Sequence, residues 1–117
     1  MNNSNIKPYD LTELVEMYSG NMDNVKKTID IFCDQMHKDI IMLKEKYESG
    51  DLLAVRAFAH RMKPNLKLLG IKEMHELVLS IEQNALNGNA AALSIELTRL
   101  YELTDITCDA LHSELNV

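Results

Sequence analysis

His60 is the residue of this chain whose side chain is best placed to do chemistry. The segment 51–69 has the apolar spacing of a helix, and His60 projects about 140° from its apolar stripe at roughly 100° per residue. Arg56 lies one turn before it on the same side, and Lys63 and Lys67 follow one and two turns later. Because the net charge of the chain is -6, a solvent-facing imidazole in a row of cations is a local exception.

An imidazole in this setting could accept and hold a phosphoryl group. The neighbouring cations disfavour protonation of the ring, and a neutral imidazole is a nucleophile. A phosphorylated ring would have a charge approaching about -2, which Lys63 and Lys67 could stabilise through charge-assisted contacts. The same cations would attract the acidic pocket of a partner that holds an aspartyl phosphate. The sequence has no glycine-rich phosphate loop and no Walker-type lysine motif, so we expect the phosphoryl group to come from another protein.

A metal-binding bundle is an alternative from a different class of function. Aspartate precedes histidine by three positions in two places, Asp34/His37 and Asp109/His112. Carboxylate and imidazole pairs with this spacing bind metal in some helical bundles. Both pairs fall outside the apolar stripes of their helices, so they could not share an interior site. The simpler interpretation is that His37, His75 and His112 are tolerated surface residues.

A non-catalytic adaptor is the second alternative. Such a helical bundle would bind a protein that holds an aspartyl phosphate, or another partner, without transferring phosphate. It would not require His60 and Lys63 in this helical register, whereas a phosphocarrier would. An enzyme with a deep substrate cleft is not expected, because a helical bundle of this size has little room for one.

Composition excludes several classes of partner and location. With 46% apolar and 26% charged residues, the chain of 117 residues is a single globular domain. Its 18 acidic against 12 basic residues disfavour binding to nucleic acid or to an anionic membrane surface. No run is long and apolar enough to span a membrane, and residues 1–7 have no apolar core for a signal peptide. We therefore expect a cytoplasmic monomer, and the start at Met1 leads us to expect a free-standing protein.

The two cysteines have no recognisable motif. Cys33 and Cys108 are far apart in the sequence, and neither belongs to a CxxC or a Cys/His cluster. We expect both to flank apolar helix faces without pairing.

Apolar periodicity predicts an all-α fold. We expect a disordered tail over residues 1–8 and one domain over residues 9–117. Asp10 should be the N-cap of a short helix, with Glu13 completing a capping box, and this helix should end at Gly20. Four longer helices should follow over about 21–47, 51–69, 71–87 and from 90 onward, since the glycines fall between them. The prediction is an antiparallel up-down-up-down four-helix bundle with a short extra N-terminal helix.

Pro64 is the one residue that conflicts with a regular helix at the site. A proline inside a helix removes one amide donor and crowds the carbonyl four residues earlier, which belongs to His60. The apolar stripe continues in phase at Leu66 and Leu69, which favours a kinked helix over one that breaks.

The residues around His60 resemble a known family, the histidine-containing phosphotransfer (HPt) domains of two-component phosphorelays. The family signature appears as Ala59-His60-Arg61-Met62-Lys63-Pro64, followed by Leu69-Gly70. The resemblance extends to Phe32, to the Gly50-Asp51 connection and to the Ile81-Glu82 pair, and so covers most of the chain. The family commonly has glycine where this chain has Pro64, and that difference could reshape the choice of partner.

This resemblance implies a role for each residue of the motif. His60 would accept the phosphoryl group, Lys63 would support it, and Glu82 would steer the imidazole through its other ring nitrogen. Gly70 would let the following helix pack closely. The surface offered to the phosphate or the partner would comprise Arg56, Pro64, Lys67, Gly70 and Glu82.

The resemblance also implies the partners. These would be response-regulator receiver domains and a hybrid sensor histidine kinase. The chain would be a phosphocarrier without ATP-dependent kinase activity of its own and without a cofactor, and Mg²⁺ would belong to the receiver partner only.

Overall fold

The computed structural model describes residues 7–116, and five helices account for most of that range. They are α1 (Thr12–Met17), α2 (Met22–Glu48), α3 (Leu52–Leu68), α4 (Lys72–Leu86) and α5 (Ala90–Leu115). The predicted all-α fold, with one short helix before four long ones, is confirmed. Within the described residues, no helix combines the length and the apolar character needed to cross a membrane.

Side-chain caps fix the starts of the two helices that lead to the site. The Asn21 side chain accepts a hydrogen bond from the Asn24 amide at 3.2 Å, and α2 begins at Met22, directly after Asn21. The Asp51 carboxylate accepts one from the Ala54 amide at 3.1 Å, which begins α3 directly after the turn at Gly50. The Asp51 cap keeps the connection between α2 and α3 short, so the two helices run antiparallel.

The four long helices form a closed ring around one core. Neighbouring helices contact each other in the pairs α2–α3, α3–α4, α4–α5 and α5–α2. The apolar face of α3 is buried from Val55 to Leu69, and α5 contributes Leu93, Leu100, Leu103 and Leu111 to the same core. The seam between α3 and α4 therefore lies opposite the seam between α5 and α2.

The start of α1 differs from the prediction. The Asp10 carboxylate accepts hydrogen bonds from the amide and the hydroxyl of Thr12, at 3.0 and 2.7 Å, and α1 begins at Thr12. The predicted capping box with Glu13 does not form, because the Asp10 amide donates instead to the Leu69 carbonyl at 3.1 Å. This hydrogen bond holds the N-terminal segment against the end of α3.

Most of the predicted disordered tail lies outside the described residues. Its last part, Lys7, pairs with Glu114 of α5. Tyr9 is buried, and its hydroxyl donates a hydrogen bond to the same carboxylate.

The cysteines do flank apolar helix faces, but the expectation that they do not pair was wrong. Cys33 of α2 and Cys108 of α5 form a disulfide, with their Cα atoms 5.9 Å apart. Periodicity places each cysteine beside an apolar stripe but does not say which residue of another helix it faces. The antiparallel packing of α2 against α5 brings the two positions together.

Two histidines expected at the surface also have partners across this seam. His37 contacts the Asp105 carboxylate at 2.9 Å, and His112 lies 3.6 Å from Asp30. The metal-site alternative paired these histidines with Asp34 and Asp109 of their own helices, but Asp34 pairs with Lys38 at 2.9 Å. Within residues 7–116, no group of three or more metal-ligating side chains is assembled.

Helix α3 passes through Pro64 without a break. Pro64 is exposed, and Leu66 and Leu69 are buried beyond it. Solvent on the outer side can hydrate the His60 carbonyl that the proline leaves without its usual donor. The alternative of a broken helix is therefore wrong. Residues before and after Pro64 keep one helical register, so the same face of α3 points outward along its whole length.

Candidate functional site

His60 and Glu82 meet on the outside of the seam between α3 and α4. The preceding residue of α3, Ala59, is fully buried, and this orientation turns His60 outward with 66% of its side chain exposed. On α4 the buried residue Ile81 turns Glu82 toward the same seam. The Glu82 side chain is less accessible than that of His60, with 19% of its surface exposed. The site therefore consists of an accessible imidazole backed by a half-buried carboxylate.

The hydrogen bond between these residues selects the tautomer of the imidazole. Nδ1 of His60 lies 2.6 Å from Oε2 of Glu82. An ionised carboxylate can only accept, so Nδ1 must have the proton and donate it. In the neutral ring, Nε2 then has the free lone pair. Among the residues that the structure describes, Nε2 has no hydrogen-bond partner, so this nucleophilic nitrogen faces solvent.

Lys63 contacts the second oxygen of the same carboxylate. Its Nζ donates to Oε1 of Glu82 at 2.8 Å, and the side chain is half-buried against the seam. His60 and Lys63 are three residues apart on α3, so they share one face of the helix and reach the same residue of α4. Glu82 thus joins the imidazole and the ammonium group into one hydrogen-bonded set.

The same contacts control the charge of Glu82. The hydrogen bond from Lys63 has the largest effect and, with a smaller effect from His60, lowers the pKa of the carboxyl group below its usual value. Partial burial acts in the opposite direction but does not prevail. Glu82 is therefore ionised at neutral pH and able to orient Nδ1–H.

The surface around His60 is a shallow depression with an apolar rim. Leu53, Arg56, Ala57 and Glu82 line it together with His60. Leu53 is highly exposed. Leu79 and Leu86 do not line the depression, but both are exposed and lie three residues before and four residues after Glu82, on the same side of α4. Exposed leucines around a polar centre are typical of a surface that binds another protein.

The remaining predicted site residues lie at different distances along α3. Arg56 lines the depression at His60, and Pro64 is exposed one residue after Lys63. Lys67 is also exposed, but it lines a separate depression with Gly70 and His75. The structure thus groups Arg56 with His60 and leaves Lys67 further along the helix.

Gly70 has a different neighbour from the one expected. Its φ of +61° is in the left-handed region, and a Cβ there would lie 2.4 Å from the Asp10 carbonyl oxygen. The close approach that requires glycine comes from the N-terminal segment, not from the helix that follows. Gly70 therefore forms the turn after α3 and leaves room for the N-terminal segment to pack against it.

Sequence reasoning did not identify the leucine rim. Three leucines lie outside the buried faces of α3 and α4 and are exposed in the structure: Leu53, Leu79 and Leu86. Leucines on the polar side of an amphipathic helix were the signal that could have revealed them. Nor could the sequence show that Lys63 and His60 share one carboxylate.

Comparison with known proteins gave a family and a relative. The family model described as Hpt domain matches residues 27–114. The chain is 29% identical over 94 residues to the phosphorelay protein LuxU of Vibrio harveyi, and the alignment covers 80% of this chain and 82% of that protein. No solved structure matches the chain significantly. The segment matched by the family model includes α3 and α4, on which His60, Lys63 and Glu82 lie.

Proposed function

This chain belongs to the Hpt domain family, and on that basis we propose that His60 accepts a phosphoryl group from the aspartyl phosphate of a receiver domain and passes it to the aspartate of another receiver domain. The observation that carries the proposal is the exposed Nε2 of His60, whose ring is held by the bond from Nδ1 to Glu82. A reactive nitrogen on an open surface can reach the phosphoryl group in the pocket of a partner protein.

The reaction proceeds by attack of Nε2 on phosphorus. The P–N bond forms while the P–O bond to the aspartyl carboxylate breaks, and the carboxylate leaves with the electron pair. Positive charge develops on the imidazole during attack, and Glu82 stabilises it because Nδ1–H already donates to its carboxylate. Transfer to the next receiver aspartate reverses these bonds, which regenerates neutral His60.

Lys63 supplies positive charge for the phosphorylated state. Its ammonium group is held beside the imidazole by the shared carboxylate of Glu82. Phosphorylation adds about two negative charges near neutral pH, so the ammonium group and the new phosphoryl oxygens attract each other. Arg56, which lines the same depression, adds a second cation next to His60.

The surface of the site supports the proposed partners. The leucines around His60 give a receiver domain an apolar surface to bind, and the cations match its acidic phosphorylation pocket. A hybrid sensor histidine kinase would supply the first phosphorylated receiver. All site residues come from one chain, so we propose a monomer, acting in the cytoplasm. The donor is aspartyl phosphate, so the reaction requires no ATP and no cofactor in this chain, and Mg²⁺ stays with the receiver.

A transfer assay tests this function. The chain is mixed with receiver domains labelled with ³²P on their aspartate, and labelled protein is separated after short incubation. We expect label on this chain that is lost in acid, as is usual for phosphohistidine, and no label on a His60→Gln variant. A bundle that binds a phosphorylated receiver and gains no label would establish the adaptor alternative instead.

A further inference from the structure

The seam between α2 and α5, opposite the phosphotransfer site, contains three pairs of facing side chains. Cys33 and Cys108 stand in the middle, and a histidine–aspartate pair lies on each side of them. In order along α2, the pairs are Asp30 with His112, Cys33 with Cys108, and His37 with Asp105. The proposed function uses none of these residues.

The cysteines are buried at the contact between the helices. Each has only 2% of its surface exposed, and the Cα separation of 5.9 Å falls in the usual range for a disulfide. Antiparallel packing places these two positions opposite each other irrespective of the bond between their sulfur atoms. The reduced and oxidised proteins can therefore share the same helix packing, although the seam must open transiently to admit a small disulfide.

The pair of His37 and Asp105 holds the same register by another interaction. Nδ1 of His37 lies 2.7 Å from the Cys33 carbonyl oxygen, and Nε2 lies 2.9 Å from the Asp105 carboxylate. Both partners can only accept hydrogen bonds, so both contacts are satisfied together when the ring is protonated and both of its nitrogens donate. This contact joins α2 to α5 one turn from Cys33. It is independent of the disulfide and would keep the thiols facing each other after reduction.

We propose that Cys33 and Cys108 are a reversible dithiol–disulfide modification site that sets the stability of the bundle without changing phosphotransfer by His60. The oxidant is a low-molecular-weight disulfide. One protein thiolate attacks it and releases one small thiol, which leaves a mixed disulfide on the protein. The other cysteine then displaces the second small thiol and closes the Cys33–Cys108 bond. In total the protein loses two S–H bonds and gains one S–S bond, and the small disulfide becomes two thiols.

The position of the disulfide in the chain explains the expected effect on stability. The bond closes a loop with a sequence separation of 75, which contains all of α3 and α4. A loop of this length strongly restricts the unfolded chain. We therefore expect the oxidised protein to melt about 10 °C above the reduced protein. His60 lies on the opposite seam, so its transfer rate should be the same in both forms within about twofold.

The experiment follows cysteine state, melting temperature and phosphotransfer in one preparation. The protein is equilibrated with mixtures of reduced and oxidised glutathione over a range of ratios and quenched with acid. It is then unfolded, treated with an alkylating agent, and its mass is measured. We expect two adducts at strongly reducing ratios, none at oxidising ratios and a reversible transition between them. Exchange should be slow, because both cysteines are buried and the seam must open first.

A double variant, Cys33→Ala/Cys108→Ala, serves as the control and should have one melting temperature at every glutathione ratio. Two adducts under all conditions would overturn the proposal, since no disulfide would then form. Failure to reduce the bond at any glutathione ratio would overturn reversibility. Equal melting temperatures for the two redox forms, or transfer rates that differ by more than about twofold, would overturn the proposed effect.

Discussion

Glu82 accepts a hydrogen bond from Nδ1 of His60 at 2.6 Å while its other oxygen accepts one from Lys63 at 2.8 Å. A single carboxylate therefore fixes the tautomer of the imidazole and holds a cation next to it. Loss of Glu82 should slow transfer because the imidazole is no longer oriented, whereas loss of Lys63 should slow it because the phosphoryl group loses a neighbouring cation. Two variants separate these effects.

Replacement of Glu82 tests the orientation of the imidazole. Glu82→Ala removes the acceptor of the Nδ1–H bond, and we expect phosphoryl transfer to slow by about tenfold or more, since a hydrogen bond to a charged group contributes about 1.5–3 kcal/mol. Glu82→Gln retains an amide oxygen that can accept the same hydrogen bond, so it should keep more activity than alanine. Single-turnover transfer from a labelled receiver measures both rates. Equal rates for all three proteins would contradict the orienting role.

Replacement of Lys63 tests the cation. Lys63→Ala should slow transfer by about tenfold, because the phosphorylated imidazole loses its neighbouring positive charge. The matched control is Lys67→Ala, which removes a lysine from the same helix that lines a different depression. We expect that variant to stay within about twofold of wild type. A comparable loss in both variants would point to the overall charge of α3 and not to Lys63 itself.

The leucine rim should affect binding of the receiver more than the chemical step. Leu53 has 76% of its surface exposed and lines the depression at His60, whereas Ile95 on α5 is 75% exposed and lies outside that depression. Leu53→Ala should raise the receiver concentration needed for half-maximal transfer by about fivefold to tenfold, in keeping with loss of about 1 kcal/mol of apolar contact. Ile95→Ala provides the control. If both variants behave like wild type, the rim is not the docking surface.

The main features of the site were predictable because they depend on the periodicity of one helix. The register of α3 alone places His60 and Lys63 outward while Ala59 and Met62 face the core. The features that were missed require two elements to meet. Examples are the pairing of Cys33 with Cys108 and the histidine–aspartate contacts on the same seam. Helical periodicity gives the face on which a residue lies, but the partner depends on the packing of another helix.

Gly70 provides a stability test of one such non-local contact. Gly70→Ala places a Cβ 2.4 Å from the Asp10 carbonyl oxygen and also strains a φ of +61°, so the backbone must shift. Gly88→Ala is the matched control, because its φ is +72° and a Cβ there meets nothing within 4 Å. We expect a loss of about 1 kcal/mol for Gly88→Ala from backbone strain, and a loss larger by about 1–3 kcal/mol for Gly70→Ala. Urea unfolding measures both. Equal losses in the free energy of unfolding would show that the Asp10 backbone does not lie close enough to Gly70 to exclude a Cβ.

The contact of His37 with Asp105 predicts a pH dependence of stability. The hydrogen bond to the Asp105 carboxylate, with help from the Cys33 carbonyl, raises the pKa of His37 above its usual value. Folding therefore favours the protonated ring. The stabilisation should be present in full below the pKa of the unfolded state, about 6.5, and should be lost as the pH rises through the higher pKa of the folded state.

The measurement compares the free energy of unfolding of wild type and His37→Gln, with a reductant present so that the cysteines stay in one state. The difference should be largest near about pH 5.5 and should shrink toward about pH 8.5. In an Asp105→Asn background, the main cause of the raised pKa is gone, so His37→Gln should produce a much smaller dependence on pH. A difference that grows with pH in wild type would mean that the folded state favours the neutral ring, contrary to the two hydrogen bonds that the ring donates.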